Sequence, residues 1–155
     1  LQGFNVLNSL PNKNKTLSGM SKLKYLVVMD PLQTESSEFW KNFGESNDVN
    51  PAEIQTEVFR LPTTCFAEEE GSIVNSGRWT QWHWKGCDQP GEALPDVDIL
   101  SMLREEMHEL YKKEGGQGIE SFEAMTWNYA QPHSPSAVEL AKELNGYALE
   151  DLYDP

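Results

Sequence analysis

Among the side chains able to do chemistry, the foremost is Asp30, which closes the run Leu26, Val27, Val28, Met29 and is followed by Pro31. A short β-branched run without polar alternation suits a strand buried on both faces of a parallel sheet. Pro31 has no amide to give to a ladder, so the backbone turns out of the sheet there. Ligands of open α/β sheets sit in the crevice beyond the carboxyl ends of strands, which puts Met29 and Asp30 where a nucleotide could be read. Gly3 would let a backbone approach a ligand closely, although an ordinary turn uses glycine in the same way. Asp96 and Asp98 open a second apolar series, where carboxylates suit the positive end of a helix dipole or simply cap it.

Other reactive residue types are poorly arranged. Cys65 and Cys87 are too far apart for a CxxC knuckle, no second pair completes a zinc or iron–sulfur site, and they read as two unremarkable thiols whose pairing stays open. His83, His108 and His133 are scattered without HxxxH or HExxH spacing. Glu68, Glu69 and Glu70 read as a solvated face.

The elements that would position these groups follow from periodicity. Asn12 or Asn14 caps a short helix that buries Leu17 and Met20, and the Leu23–Met29 strand comes next, giving half of a βαβ unit whose first strand is cut away. Thr34 before Glu35 and Ser36 predicts a capped helix through Phe39 and Trp40. Lys41 to Pro51 is a loop by composition, and Glu57–Leu61 alternates up to Pro62 as a second strand. Ile73 and Val74, the turn Asn75-Ser76-Gly77, and Trp79 to Trp84 form a β-hairpin arm with Trp82 and Trp84 on one face, packed in a core or an interface. Ile99, Leu103, Met107 and Leu110 mark an amphipathic helix that ends near Gly115-Gly116. A last helix is expected from Ser134, with Pro135 at its first position, through Val138, Ala141 and Leu144 to Gly146; an acidic tail then runs to Pro155.

The 155 residues, 38% of them hydrophobic, suffice for one domain with a real core. Twenty-five acidic against twelve basic side chains give a formal charge of −13, which argues against nucleic acid and anionic lipid as partners. A start at Leu1, with no signal-like region after it, suggests an excerpt from a longer polypeptide.

The order of the pieces is more specific than any one of them. G-F-N at Gly3–Asn5, L-K-Y-L-V-V-M-D-P with T-E shortly after, L-P at Leu61-Pro62, A-E-E-E-G-S-I-V-N-S-G-R from Ala67 to Arg78, and P-D at Pro95-Asp96 succeed one another. This succession resembles the large subunits of molybdopterin oxidoreductases, whose motifs are G-x-N-P, a strand ending in an acid, T-E-T-A, V-L-P, E-K-E-G-T-x-x-N-x-x-G-R and R-P-D. P-N-K-N-K, V-V-M-D-P, E-V-F-R-L-P, G-R-W and N-G-Y-A-L bring the resemblance closest to the major subunit of respiratory formate dehydrogenase, over nearly the whole chain.

That resemblance implies an α/β fold: part of a Rossmann-like three-layer domain with a short parallel sheet, flanking helices and a β-hairpin arm, spanning residues 1–155 within a larger catalytic subunit. It implies a bis-molybdopterin guanine dinucleotide cofactor carrying molybdenum or tungsten, toward which Gly3, Asn5, Met29, Asp30 and Asp96 fall by position, with Met29 and Asp30 at a guanosine. A carboxylate can accept adjacent N–H donors of guanine together. Cap and cofactor contact remain alternatives for Asp96. Val6 stands where the family has proline, Glu69 where related nitrate reductases have a cofactor-contacting lysine, and Ser36-Ser37 where T-A is usual. Arg78 is expected to tie loops to carboxylates.

The 4Fe-4S cysteines and the selenocysteine or cysteine metal ligand are expected elsewhere in the parent. No catalytic or metal-ligating residue is therefore assigned in this chain, which is expected to be inactive alone. By the same resemblance, the partners are the remainder of the large subunit, an iron–sulfur beta subunit and a membrane cytochrome gamma subunit. Formate is then the parent's substrate, and the location is periplasmic in a membrane-associated complex. The competing reading is an independent acidic interaction domain that presents Trp79, Trp82 and Trp84 to a protein partner.

Overall fold

A computed structural model describes residues 1–41 and 48–144, and its contacts divide the chain into two compact units. The first comprises Leu1–Thr64 with Pro90–Ala93; the second comprises Cys65–Gln89 with the residues from Leu94 onward. Most of the Lys41–Pro51 loop, the end of the last helix at Gly146 and the acidic tail lie outside the described residues.

In the first unit, α1 (Val6–Ser9) and α2 (Lys13–Met20) precede β1 (Tyr25–Asp30), which pairs in parallel with β2 (Glu57–Pro62). Asn12 caps α2 by accepting the Lys15 N–H at 3.1 Å, and Leu17 and Met20 are buried as their spacing requires. The four-residue α1 was not expected from the sequence; one turn carries too little periodicity to register. Gln2 makes an isolated parallel bridge to Met29, with Met29 N–H donating to Leu1 O at 2.8 Å and Gly3 N–H to Met29 O at 2.9 Å.

The core is Leu7, Leu17, Met20, Leu26, Val28 and Phe39, with Val6, Trp40, Ile54 and Val58 against it. β1 is buried on one face only, which corrects the expectation of two. Leu26 and Val28 are inside, whereas Val27, Tyr25 and the neighbouring Phe59 are exposed. An unbroken apolar run looks the same whether one or both of its faces are covered. The segment after Pro31 also departs from expectation. It forms a single 3-10 turn at Ser36–Glu38 rather than an α-helix, and Thr34 does not cap it through its side chain. Ser37 takes that part instead, its Oγ accepting the Thr34 N–H at 3.0 Å and donating to the Thr34 carbonyl at 2.8 Å, while Thr34 Oγ1 is buried without a partner. The turn still buries Phe39, which meets Trp40 edge-on at 5.9 Å.

In the second unit, β3 (Gly71–Val74) and β4 (Thr80–His83) form the expected antiparallel hairpin. Asn75 organises its turn by accepting the N–H groups of Gly77 and Trp79, and the left-handed residue is Arg78 (φ 62°) rather than Gly77. Trp82 and Trp84 meet edge-to-face at 5.6 Å, in keeping with their shared face, but Trp79 and Trp84 are largely exposed. Three helices follow: α3 (Asp96–Glu114), α4 (Ile119–Glu123) and α5 (Ala137–Leu144). α3 ends at Gly115, as expected, where φ is +67°. Its Leu103–Met107–Leu110 stripe, expected to be buried, is exposed. Spacing lines up a stripe but does not supply the surface that covers it. α5 begins later than Ser134, because Ser136 and Glu139 make a capping box: Ser136 Oγ accepts the Glu139 N–H, and the Glu139 carboxylate accepts from Ser136.

Candidate functional site

The polar groups of the first unit converge beyond the carboxyl ends of β1 and β2. The parallel register sets Met29 beside Leu61 and Asp30 beside Pro62, so both strands reach their carboxyl ends at one level. A cavity of about 330 Å³ opens there, lined by Val28, Asp30, Gln33, Ser37, Arg60 and Leu61 together with the flanking prolines. That volume is at the small end for ligand sites and admits one flat ring system rather than a whole dinucleotide.

Asp30 is one of the lining residues. One oxygen, Oδ1, accepts the Leu32 N–H at 3.1 Å and holds the turn; the second has no hydrogen-bond partner among the described residues. Asp30 thus has the turn-capping role and still presents acceptor capacity to the cavity. Gly3 lies alongside, its amide committed to the Met29 carbonyl at 2.9 Å and its φ of +54° in the region that favours glycine. Met29, half-buried, alternates to the opposite face of β1 from Asp30 and does not line the cavity.

Asn5 acts one step back. Its Oδ1 accepts the Ser36 hydroxyl at 2.7 Å and its amide donates to Glu35, so it ties the N-terminal loop to the turn behind the cavity. A backbone N–H and then the Asn5 amide hold the Glu35 carboxyl below its ordinary range. Val6 starts α1.

Sequence reasoning did not single out Arg60 and Glu38. The Arg60 guanidinium stands 3.7 Å from Glu38, whose other oxygen takes Lys41. Lys41 foremost, then the Gln33 amide, depress the Glu38 carboxyl. The available signal was the parity of E-V-F-R-L-P: Arg60 shares a face with Val58, and the register puts it beside Val28.

Asp96 belongs to the second unit, so the structure does not group it with Gly3, Asn5, Met29 and Asp30. It occupies the first turn of α3 but makes no side-chain cap; Pro95 holds the cap position, which corrects the capping alternative. Asp96 and Asp98 line a separate cavity of about 640 Å³ with Glu68, Glu69, Glu70 and Lys85, the last paired with Asp88 at 3.1 Å. Such a surround is anionic and unsuited to phosphate. Glu69 adds to that charge. Cys65 and Cys87 are free thiols, and no group of three or more histidine, cysteine or acidic residues that could hold a metal ion occurs among the described residues.

A parallel α/β edge with a carboxylate and a guanidinium at its carboxyl end defines the class: an α/β segment with a polar cavity at its strand ends. No family model matches the chain. It is 99% identical over all 155 residues to the formate dehydrogenase major subunit of Haemophilus influenzae. It is 66% identical over 153 residues, 99% of its length, to the nitrate-inducible formate dehydrogenase major subunit of Escherichia coli. It is 34% identical over 157 aligned positions, 97% of its length, to the formate dehydrogenase subunit alpha of Megalodesulfovibrio gigas. The chain belongs to the formate dehydrogenase major-subunit family, and it spans about 15% of the length of these curated relatives.

Proposed function

We propose that this chain is the part of a formate-oxidising major subunit that helps cradle its pterin dinucleotide cofactor, with Asp30 reading the guanine. The observation that carries this reading is the near-identity, without interruption, to a formate dehydrogenase major subunit. The same continuity disfavours an independent interaction module, despite the exposed Trp79 and Trp84.

The donor set at the cavity fits a guanine-bearing group. The Asp30 carboxylate retains acceptor capacity for the ring N–H donors, and the opening matches a base rather than the larger remainder of the cofactor. Gly3 keeps the neighbouring loop close, and Asn5 and Ser36 fix its path. When bound, a molybdenum or tungsten bis-molybdopterin guanine dinucleotide would accept the two electrons of formate oxidation. This chain's residues bind and orient that group, while the 4Fe-4S cluster and the selenocysteine or cysteine ligand belong to the rest of the subunit. Onward transfer to iron–sulfur beta and cytochrome gamma subunits, in a periplasmic, membrane-associated complex, completes the proposal.

Asp30→Asn in the full-length subunit tests it. The amide retains an acceptor for Leu32 N–H but sets a donor against the donors of guanine. Charge-assisted bonds of this kind are worth roughly 1.5–3 kcal/mol. Cofactor content and activity should fall together while melting of the cofactor-free protein holds. Full molybdenum or tungsten occupancy in the variant would refute the guanine assignment.

A further inference from the structure

We infer that Arg60 is a second specificity determinant of the strand-end cavity, donating to the O6/N7 edge of the guanine whose N–H edge faces Asp30; this rests on the cofactor reading above. Asp30 and Arg60 lie on the same face of the parallel pair. Arg60 is in register with Val28, so it stands one strand across and two residues back from Asp30. Strand spacing and rise put their Cα atoms about 8 Å apart, on the scale of a purine ring held between two side chains. Both line the same cavity.

The guanidinium is positioned without being used up. Its one described partner, Glu38, is 3.7 Å away, beyond hydrogen-bond distance, and Glu38 is itself engaged by Lys41 and Gln33. Glu38 therefore aims the Arg60 charge electrostatically, and among the described residues no hydrogen bond consumes its five N–H donors. A carboxylate and a guanidinium on one face select guanine over the other bases. Guanine offers N–H donors on one edge and two acceptors, O6 and N7, on the adjoining one, the pattern an arginine fork matches bidentately. Adenine would set its exocyclic amine against Arg60, and the pyrimidines lack N7.

The test uses the full-length subunit carrying Arg60→Met, Arg60→Lys or Asp30→Asn. Guanine released per subunit on denaturation is measured alongside melting of the cofactor-free protein. Arg60→Met is expected to weaken retention about tenfold or more, and Arg60→Lys to remain deficient because an ammonium cannot make the bidentate contact. Cofactor-free melting should be unchanged, since the Glu38 pair is loose and Arg60 is half-exposed. Full guanine content in Arg60→Met beside depletion in Asp30→Asn overturns the role of Arg60 and leaves the cofactor reading standing. Full content in both overturns the cofactor reading itself. Depletion with an equal loss of cofactor-free stability marks Arg60 as structural and also overturns the inference.

Discussion

The Ser36 hydroxyl donates to Asn5 Oδ1 at 2.7 Å and accepts the buried Leu7 N–H at 3.2 Å, so one side chain closes the N-terminal loop onto the turn after β1 across some thirty residues of sequence. Ser36 has no solvent exposure. Ser36→Ala would strand the Leu7 amide, and an unsatisfied buried donor costs about 1–3 kcal/mol. Urea unfolding of the full-length subunit should show a lower midpoint at unchanged slope. A midpoint equal to wild type would remove the tether from the account.

Acid should loosen the same corner. Glu35 and Glu38 both bind protons more weakly folded than unfolded, the first through a backbone N–H and Asn5, the second through Lys41 and Gln33. Their contribution is complete above the ordinary value of 4.5 and is lost as pH falls through the depressed folded values. Replacing both by Gln should flatten the fall in unfolding midpoint between about pH 5 and pH 3; an unaltered slope would count against these two groups.

Tyr129 should titrate late. Its hydroxyl hydrogen-bonds Glu143, which with burial and the charges of Glu143 and Glu139 pushes its pKa from 10.0 to about 12. A raised folded value means the contribution is intact below 10 and disappears as pH rises through about 12. Ultraviolet titration of tyrosinate should show a late-ionising component that Glu143→Gln moves back toward 10.0.

The two thiols should differ in accessibility. Cys87 is exposed and Cys65 half-buried. Iodoacetamide followed by peptide mass spectrometry should label Cys87 faster in the native second unit and both equally after denaturation. Equal native rates would contradict the burial difference.

Phe39 tests the core itself. It is 1% exposed, and Phe39→Ala should cost about 3–5 kcal/mol, whereas Leu32→Ala, at a residue 73% exposed, should be nearly silent. Similar losses at both positions would mean that the Phe39 cluster is not the centre of the first unit.

Much of this molecule is determined by short-range chemistry and could be read from the sequence alone. A cap at Asn12 or Asn14, the Leu17–Met20 face, the strand ending at Asp30-Pro31, the second strand before Pro62, the Trp hairpin and the stop near Gly115-Gly116 each depend on a few neighbouring residues. The motif order carried the family in the same way. Tertiary structure alone decided which faces are covered: β1 lost one buried face and α3 its buried stripe, because periodicity marks a surface without naming its partner. It also decided that Ser37 rather than Thr34 holds the turn and that Asp96 lies in a different unit from Asp30. Arg60 joined Asp30 at one cavity only because the parallel register set β2 beside β1. No spacing within either strand encodes that relationship, since pairing between strands is a long-range event.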